Sequence, residues 1–219
     1  MILISLILIA IVSYLLGSCS SAIISVRLLK HEDIRKHGSH SAGLTNVYRC
    51  FGAFPALCTL IGDLAKGVVA NLISIYIIAA LIPIPLDNMT IGYISGIFAI
   101  IGHIFPVYYH FKGGRGVLVS ASILLVIDPL TFVIIIPFFI IMIAITRYVS
   151  VASISSAVLY PILTFFLHFY VEKITLQESL THTILTAVTG ILLIYMHKDN
   201  IKRLINHTEN KFVLKKRDK

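Results

Sequence analysis

Long apolar runs divide the chain into segments of the length that crosses a lipid bilayer. A helix of about 20 apolar residues spans the hydrocarbon core. The fourth run has roughly 12 residues, so we expect it to be tilted, re-entrant or extended by the glycines before it. The pattern predicts an all-α integral membrane protein with seven transmembrane helices, at about 1–29, 54–82, 90–109, 117–128, 130–146, 149–170 and 181–196.

Composition agrees with a lipid environment. Of the 219 residues, 58% are hydrophobic and 13% are charged, whereas soluble domains have about 45–50% and about 25%. The net charge of +8 does not indicate a nucleic-acid partner, because no aromatic stacking platforms are interleaved with the basic residues. The three cysteines have neither paired nor metal-ligand spacing, and we predict no metal and no cofactor.

The positive charges give the seven segments an orientation, because cytoplasmic loops are enriched in lysine and arginine. With the N-terminus outside, only Lys66 and Lys173 of the 18 lysines and arginines lie away from the cytoplasmic loops, the segment ends beside them and the tail. We therefore predict an external N-terminus, a cytoplasmic C-terminus and one polytopic domain, 1–219, with a short basic tail from about residue 198. The opposite loops are mainly acidic and carry Asp87, Asp128, Glu172 and Glu178.

Three polar stretches fall on the predicted cytoplasmic side. The first, 38–49, has glycines and hydroxyls that suit phosphate, and it ends on an arginine. The second, 102–116, places three glycines and two cations at a helix boundary, which favours another anion site. The third, 197–204, places His197 and Asn200 on one face if the helix continues. The structural alternatives are a flexible loop, a helix break with interfacial anchors, and a basic anchor on anionic lipid.

A few polar residues lie inside or beside the apolar runs. Asp63 and Lys66 are one helical turn apart, and they form either a structural ion pair or a wall of a site. His103 is either a packed, hydrogen-bonded histidine, which its pattern favours, or a catalyst. Ser153, near the start of the sixth segment, is either a helix-packing serine or a hydrogen-bond donor to a ligand.

Short motifs occur in a fixed order within these stretches. The first motif contains Gly17, Ser18, Asp33, Ile34, Arg35, Gly38, Ser39, Gly43, Thr45, Asn46 and Arg49. The second contains Gly102, His103, Phe105, Pro106, Phe111, Lys112, Gly113, Gly114, Arg115, Gly116 and Val117. The third contains His197, Asn200, Ile201, Arg203, Leu204 and Glu209. Their order and spacing resemble the acyl-phosphate-dependent glycerol-3-phosphate acyltransferases, the PlsY family.

The resemblance implies a reaction. A fatty acyl group would pass from acyl phosphate to the sn-1 hydroxyl of glycerol 3-phosphate, giving lysophosphatidic acid and phosphate. This is the first step of phospholipid synthesis, at a site that faces the cytoplasm in the inner or plasma membrane. Both substrates carry phosphate, which fits two anion-binding segments. The expected partners are acyl phosphate, glycerol 3-phosphate and membrane lipid, and protein partners are left open.

The resemblance also implies the residues of the site. Acyl phosphate would be held by Gly38, Ser39, Ser41, Gly43, Thr45 and Asn46. Glycerol 3-phosphate would be held by Arg49, Lys112, Arg115, Ser153, His197 and Asn200. The catalytic group would comprise Ser39, Arg49, His197 and Asn200. His197 would orient or deprotonate the attacking hydroxyl, unless a substrate phosphate oxygen takes the proton.

Several motif positions differ from the family pattern. His40 and Ser41 stand where the family usually has Gly-Asn, Leu44 replaces a small residue, Arg115 replaces a usual Lys, and His207 replaces a Gly. Two other functions therefore remain open: a divergent paralogue with another donor or acceptor, and a small anion or solute transporter. Against a transporter, the sequence has no inverted repeat and little intramembrane charge.

Overall fold

The computed structural model describes residues 2–212, and the regular structure in this range is helical. Short 3-10 turns cover Ile34–Lys36 and Val107–Tyr109, and π-helical turns cover Ser74–Ile78 and Leu167–Val171. The α-helices are α1 Ile2–Ser18, α2 Ser21–Lys30, α3 Leu44–Phe51, α4 Ala53–Ile73, α5 Ala79–Leu81, α6 Asn88–Ile104, α7 Val117–Ile127, α8 Pro129–Thr146, α9 Val149–Phe166, α10 Leu176–Met196 and α11 Lys198–Ile205.

Six helical stretches within residues 2–212 are long and apolar enough to cross a membrane. The prediction of an all-helical membrane protein is therefore confirmed. The predicted fourth segment is the shorter apolar helix α7, so the count of seven spans and their orientation remain predictions. The six stretches are Ile2–Lys30, Ala53–Leu81, Asn88–Tyr109, Pro129–Thr146, Val149–Val171 and Leu176–Met196.

The chain forms two compact units, Met1–Pro129 and Leu130–Lys219. The expectation of one polytopic domain stays a prediction. Each unit keeps large apolar side chains such as Leu3 and Ile145 on its surface and buries small polar ones such as Ser13 and Ser179. This arrangement suits lipid, because hydrocarbon solvates apolar side chains and leaves hydroxyls to pair between helices.

The first unit is built on close contact between α1 and α6. A Cβ atom on Gly17 would overlap the Ala99 carbonyl, and one on Gly102 would overlap the Tyr14 carbonyl. Glycine lets the two backbones approach this closely, as is common in membrane helix pairs. Near this contact Ser13 Oγ lies 2.9 Å from Ser95 Oγ. The pairing brings the end of α6, and the turn Val107–Tyr109 after it, against the end of α1.

The second unit is built on the α9–α10 hairpin, whose inner face is lined with hydroxyls and histidines. His168 Nδ1 and His182 Nδ1 lie 3.0 Å apart, and both residues are buried. The end of the described chain returns to this hairpin, where Phe212 N donates to Arg147 O at 2.7 Å. Of the predicted basic tail, residues 198–205 form α11, and residues 213–219 lie outside the described range.

The polar segment between the first two spans is not only a loop, because it contains the short helix α3. An eight-residue helix is too short to be stable alone in water. Val47 is fully buried and packs in a cluster with Ile34, Ala42 and residues of α2. Tertiary burial of this apolar face therefore forms α3, and the sequence pattern around glycines and hydroxyls did not indicate it.

Candidate active site

The loop before α3 is organised by one buried side chain, Asn46, which is 3% exposed. Its Nδ2 donates to the carbonyl oxygens of His37 and Ser41, each at 3.0 Å. Its Oδ1 accepts from the backbone amide of Ser39 at 2.9 Å. The side-chain amide of Asn46 therefore bridges residues 37–41 and holds the loop closed.

The loop leads into the N-terminus of α3, where Gly43 is the N-cap residue. Amide groups in the first turn of a helix lack helical partners and attract anions. Thr45 and Arg49 lie four residues apart on α3, so they share a face of the helix. The Arg49 side chain makes no ion pair or hydrogen bond within residues 2–212. Ser39 and Ser41, both partly exposed, add hydroxyls to the same loop.

His40 stands at a position where its backbone is left-handed, with φ of 56°. Glycine adopts this region without strain, whereas other residues are strained there. The imidazole is exposed, and its Nδ1 lies 3.0 Å from the Arg35 carbonyl oxygen. The side chain is thus tied back to Arg35, and the departure from the family pattern costs backbone strain.

Arg35 joins this loop to the segment after α6. Its guanidinium binds Asp33, with Nη2 to Oδ2 at 2.7 Å, and its Nη1 donates to the Tyr109 carbonyl at 2.7 Å. The Arg35 hydrogen bonds outweigh burial and hold the pKa of Asp33 well below its usual range. Arg35 is therefore a structural clamp between the first two motifs.

The glycine-rich second motif folds back over the end of α6. Gly113 N donates to the Ile104 carbonyl and Gly114 N donates to the His103 carbonyl, each at 3.1 Å. Ala42 N then donates to the Gly113 carbonyl at 3.2 Å. The two predicted anion-binding segments of the first unit are therefore hydrogen-bonded neighbours. Lys112 is exposed beside them and Arg115 is partly buried.

The intramembrane pair singled out in the sequence is an ion pair. Lys66 Nζ lies 2.9 Å from Asp63 Oδ1. The same Nζ lies 2.7 Å from Nδ1 of His103, which is buried, as expected for a packed histidine. The pair therefore belongs to a larger buried polar group that reaches the second motif.

In the second unit, the Glu209 carboxylate accepts hydrogen bonds from three side chains, and the sequence did not predict it as a site residue. Its Oε1 accepts from Ser150 Oγ at 3.0 Å and from Asn200 Nδ2 at 2.7 Å. Its Oε2 accepts from Arg203 Nε at 2.6 Å. Burial alone would raise the Glu209 pKa, but these three bonds and the Arg203 charge lower it. Its place at the end of the third motif was the only sequence signal for this role.

The His197 ring is oriented by its own helix. Nδ1 lies 2.8 Å from the Leu193 carbonyl oxygen, and only a protonated nitrogen can donate to a carbonyl. In the neutral ring the lone pair is then on Nε2, so this nitrogen can accept a proton. His197, Asn200 and Ser153 are all buried. Ser153 Oγ donates to the Val149 carbonyl of its own helix at 2.9 Å.

The remaining polar groups set limits on the chemistry. Within residues 2–212, no three His, Cys, Asp or Glu side chains are arranged to hold a metal ion. The groups assembled instead are backbone amides, hydroxyls and cations in the first unit. The second unit adds an oriented imidazole and a carboxylate that holds Asn200. Such groups suit phosphate binding and proton transfer.

Comparison with known proteins agrees with these features. The family model described as glycerol-3-phosphate acyltransferase matches residues 7–207. A protein of that name from Chlorobium luteolum is 33% identical, over 94% of this chain and 95% of the relative. Another from Bacillus subtilis is 34% identical, over 93% of this chain and 96% of the relative.

Solved structures give the same result. A crystal structure of PlsY, an integral membrane glycerol 3-phosphate acyltransferase, in its glycerol 3-phosphate form matches with a TM-score of 0.76 at 27% identity. The match covers 95% of this chain and 96% of that chain. The lysophosphatidic acid form matches with the same TM-score of 0.76 at 26% identity. This chain therefore belongs to the glycerol-3-phosphate acyltransferase family.

Proposed function

We propose that this glycerol-3-phosphate acyltransferase takes its acyl group from acyl phosphate and transfers it to the sn-1 hydroxyl of glycerol 3-phosphate. The observation that carries the proposal is the hydrogen bond from Ala42 N to the Gly113 carbonyl at 3.2 Å. It joins two segments that each suit an anion, the α3 loop and the Lys112–Arg115 turn. A reaction with two phosphate-bearing substrates requires two such segments.

The donor phosphate is assigned to the loop and the first turn of α3. Gly38, Gly43 and Asn46 shape this cradle, with Asn46 acting through the loop that its amide closes. Hydroxyls at Ser39, Ser41 and Thr45 supply donors, and the helix N-terminus favours the negative charge. The fatty chain extends into lipid or between helices, since the donor is a membrane-soluble molecule.

The acceptor phosphate is assigned to cations. Arg49 and Arg115 offer bidentate guanidinium groups, and Lys112 adds a third positive charge. We assign Ser153, His197 and Asn200 of the second unit to the glycerol hydroxyls, because they offer hydroxyl, imidazole and amide groups that bind alcohols. Membrane lipid surrounds the site, and no cofactor takes part in the proposed reaction.

The chemical step needs no activation of the donor. The sn-1 hydroxyl oxygen attacks the acyl carbonyl carbon, and the bond from that carbon to the phosphate oxygen breaks. The electron pair leaves with phosphate, and the hydroxyl proton passes to His197 Nε2 or to a substrate phosphate oxygen. Ser39 and Arg49 contribute by positioning and by stabilising negative charge as it develops.

We also propose that the protein lies in the cell membrane with an external N-terminus and the site facing the cytoplasm. The distribution of lysine and arginine supports this orientation. One exception in the charge count, Lys66, is neutralised by Asp63 at 2.9 Å. In a variant whose native cysteines are replaced, a Lys36→Cys label should react from the cytoplasmic side and a Lys173→Cys label from the outside.

The activity is tested with purified protein in lipid, supplied with acyl phosphate and glycerol 3-phosphate. We expect lysophosphatidic acid and phosphate in equal amounts. Arg49→Ala should abolish most turnover, whereas the control Lys36→Ala, an exposed cation in the same segment, should not. Binding of both substrates without product would favour the paralogue with another donor or acceptor. Flux of glycerol 3-phosphate into sealed vesicles without chemistry would favour a transporter.

A further inference from the structure

A buried charged pair lies on α4, outside both phosphate-binding segments. Lys66 is 7% exposed and Asp63 is 1% exposed. Removing two charges from water is strongly unfavourable unless close partners offset the loss of hydration. Ionisable residues within membrane spans are therefore rare and usually functional. The proposed mechanism gives neither residue a role.

The ammonium group of Lys66 hydrogen-bonds to the Cys19 carbonyl oxygen at 3.2 Å and to His103 Nδ1 at 2.7 Å. It also forms an ion pair with Asp63 Oδ1 at 2.9 Å. An ammonium group can only donate, so His103 Nδ1 must accept. His103 is then a neutral imidazole with its proton on Nε2. Lys66 thereby sets both the tautomer and the orientation of the ring.

The opposite edge of the His103 ring meets the glycine-rich segment. A Cβ atom on Gly114 would overlap His103 Nε2 and would lie 2.6 Å from the Ala42 carbonyl oxygen. The backbone of His103 also accepts from Gly114 N at 3.1 Å. Gly114 is thus held by both the side chain and the backbone of one histidine, directly before Arg115.

We propose that Asp63 and Lys66 are positioning residues for acceptor binding, which hold His103 against Gly114 and so set where Lys112 and Arg115 meet the phosphate. The inference rests on the proposed function only for the identity of that phosphate. A displacement of about 1 Å at a binding group can reduce turnover about 100-fold. Acceptor binding should therefore depend on an ion pair that does not itself touch the substrate.

The decisive variant is the double substitution Asp63→Asn with Lys66→Met, because it removes both charges and leaves none buried alone. We expect the KM for glycerol 3-phosphate to rise about tenfold, with the KM for acyl phosphate changed less than about twofold. The unfolding temperature should stay close to that of the wild type, since buried ion pairs add little net stability. Thr59→Val, another buried polar change on α4, is the control and should leave both KM values unchanged.

His103→Asn tests the connection between the pair and the glycines. It keeps an acceptor for Lys66 and removes the ring edge at Gly114. We expect the same rise in KM, and no further rise when it is combined with the double substitution, because both act through one contact. Additive effects would contradict the proposal. A double variant with wild-type KM values in an active protein would overturn it.

Hydrogen exchange separates this inference from the proposed function. The amide of Gly114 should exchange faster in the double variant than in the wild type, whatever substrate the protein uses. An inactive wild type would overturn the proposed function, and faster exchange would still support the positioning role. Unchanged exchange across residues 112–116 would overturn the positioning role.

Discussion

Asn200 Nδ2 donates a 2.7 Å hydrogen bond to Glu209 Oε1. The bond connects the first turn of α11 to the returning segment that follows it. Glu209 also holds Ser150, at the start of α9, so one carboxylate ties together three parts of the second unit. A residue assigned to substrate binding is thus oriented by a carboxylate with no assigned contact to the substrate.

Replacing Glu209 with Gln should weaken this connection. The neutral amide keeps an acceptor for Asn200 but loses the charge that Arg203 binds at 2.6 Å. We expect the free energy of unfolding to fall by about 1.5–3 kcal/mol, the range for hydrogen bonds to charged groups. Thermal or denaturant unfolding in detergent measures this loss, and Asp199→Asn, on the exposed side of α11, should change it little.

The same carboxylate predicts a dependence of stability on pH. The folded-state pKa of Glu209 is below the ordinary value of 4.5, because its hydrogen bonds and Arg203 outweigh burial. Such a group stabilises the folded state above its unfolded pKa, and that stabilisation is lost as the pH falls through the folded value. Wild-type stability should therefore fall below pH 4.5, and Glu209→Gln should lack this part of the decline. Parallel curves would contradict the assignment.

His197→Gln separates the two proton acceptors of the mechanism. If His197 Nε2 takes the hydroxyl proton, the rate should fall about 100-fold and the acidic limb of the pH–rate profile should disappear. His31→Gln, an exposed histidine, is the control and should keep the profile. An unchanged rate and profile in His197→Gln would leave a substrate phosphate oxygen as the acceptor.

Asn46→Asp tests the loop that forms the donor cradle. The substitution preserves shape but places a carboxylate oxygen where Nδ2 now donates to the carbonyls of His37 and Ser41. Oxygen would then face oxygen, so we expect the loop to open and the KM for acyl phosphate to rise at least about tenfold. Substrate-saturation kinetics measure this effect. Cys50→Ser, next to Asn46, should leave the KM within about twofold.

Two histidines occupy left-handed backbone positions where the family usually has other residues. His40 and His207 both have φ of 56°. Glycine avoids a strain of about 1–2 kcal/mol there, at an entropic cost of about 0.5–1 kcal/mol. We expect His207→Gly to raise the free energy of unfolding by about 0.5–1 kcal/mol. His40→Gly should gain less, because it also loses the contact with the Arg35 carbonyl.

Unfolding experiments on both variants measure these gains, and His37→Gly serves as the opposite control. His37 has an extended backbone with φ of −123°, so glycine there adds entropy to the unfolded chain without relieving strain. It should destabilise the protein. Destabilisation by His207→Gly as well would contradict the strain argument.

Local sequence patterns were enough to predict the membrane class, the long apolar helices and the family. These features depend on local properties: apolar run length sets which segments suit lipid, and motif order is read along one chain. The α8 span was predicted from residue 130 and begins at Pro129. The fourth segment was recognised as short, and its helix α7 has 11 residues.

Which polar groups meet depends instead on how the helices pack. Helix α3 forms because Val47 is buried, and no local periodicity indicated it. Lys66 and His103 are 37 residues apart in the chain, and Ser150 and Glu209 are 59 apart. Such contacts depend on how closely helices pack, which in the first unit is set by glycines against backbone carbonyls. The residue types therefore indicated the chemistry of this protein, and the packing of the helices determines which residues are partners.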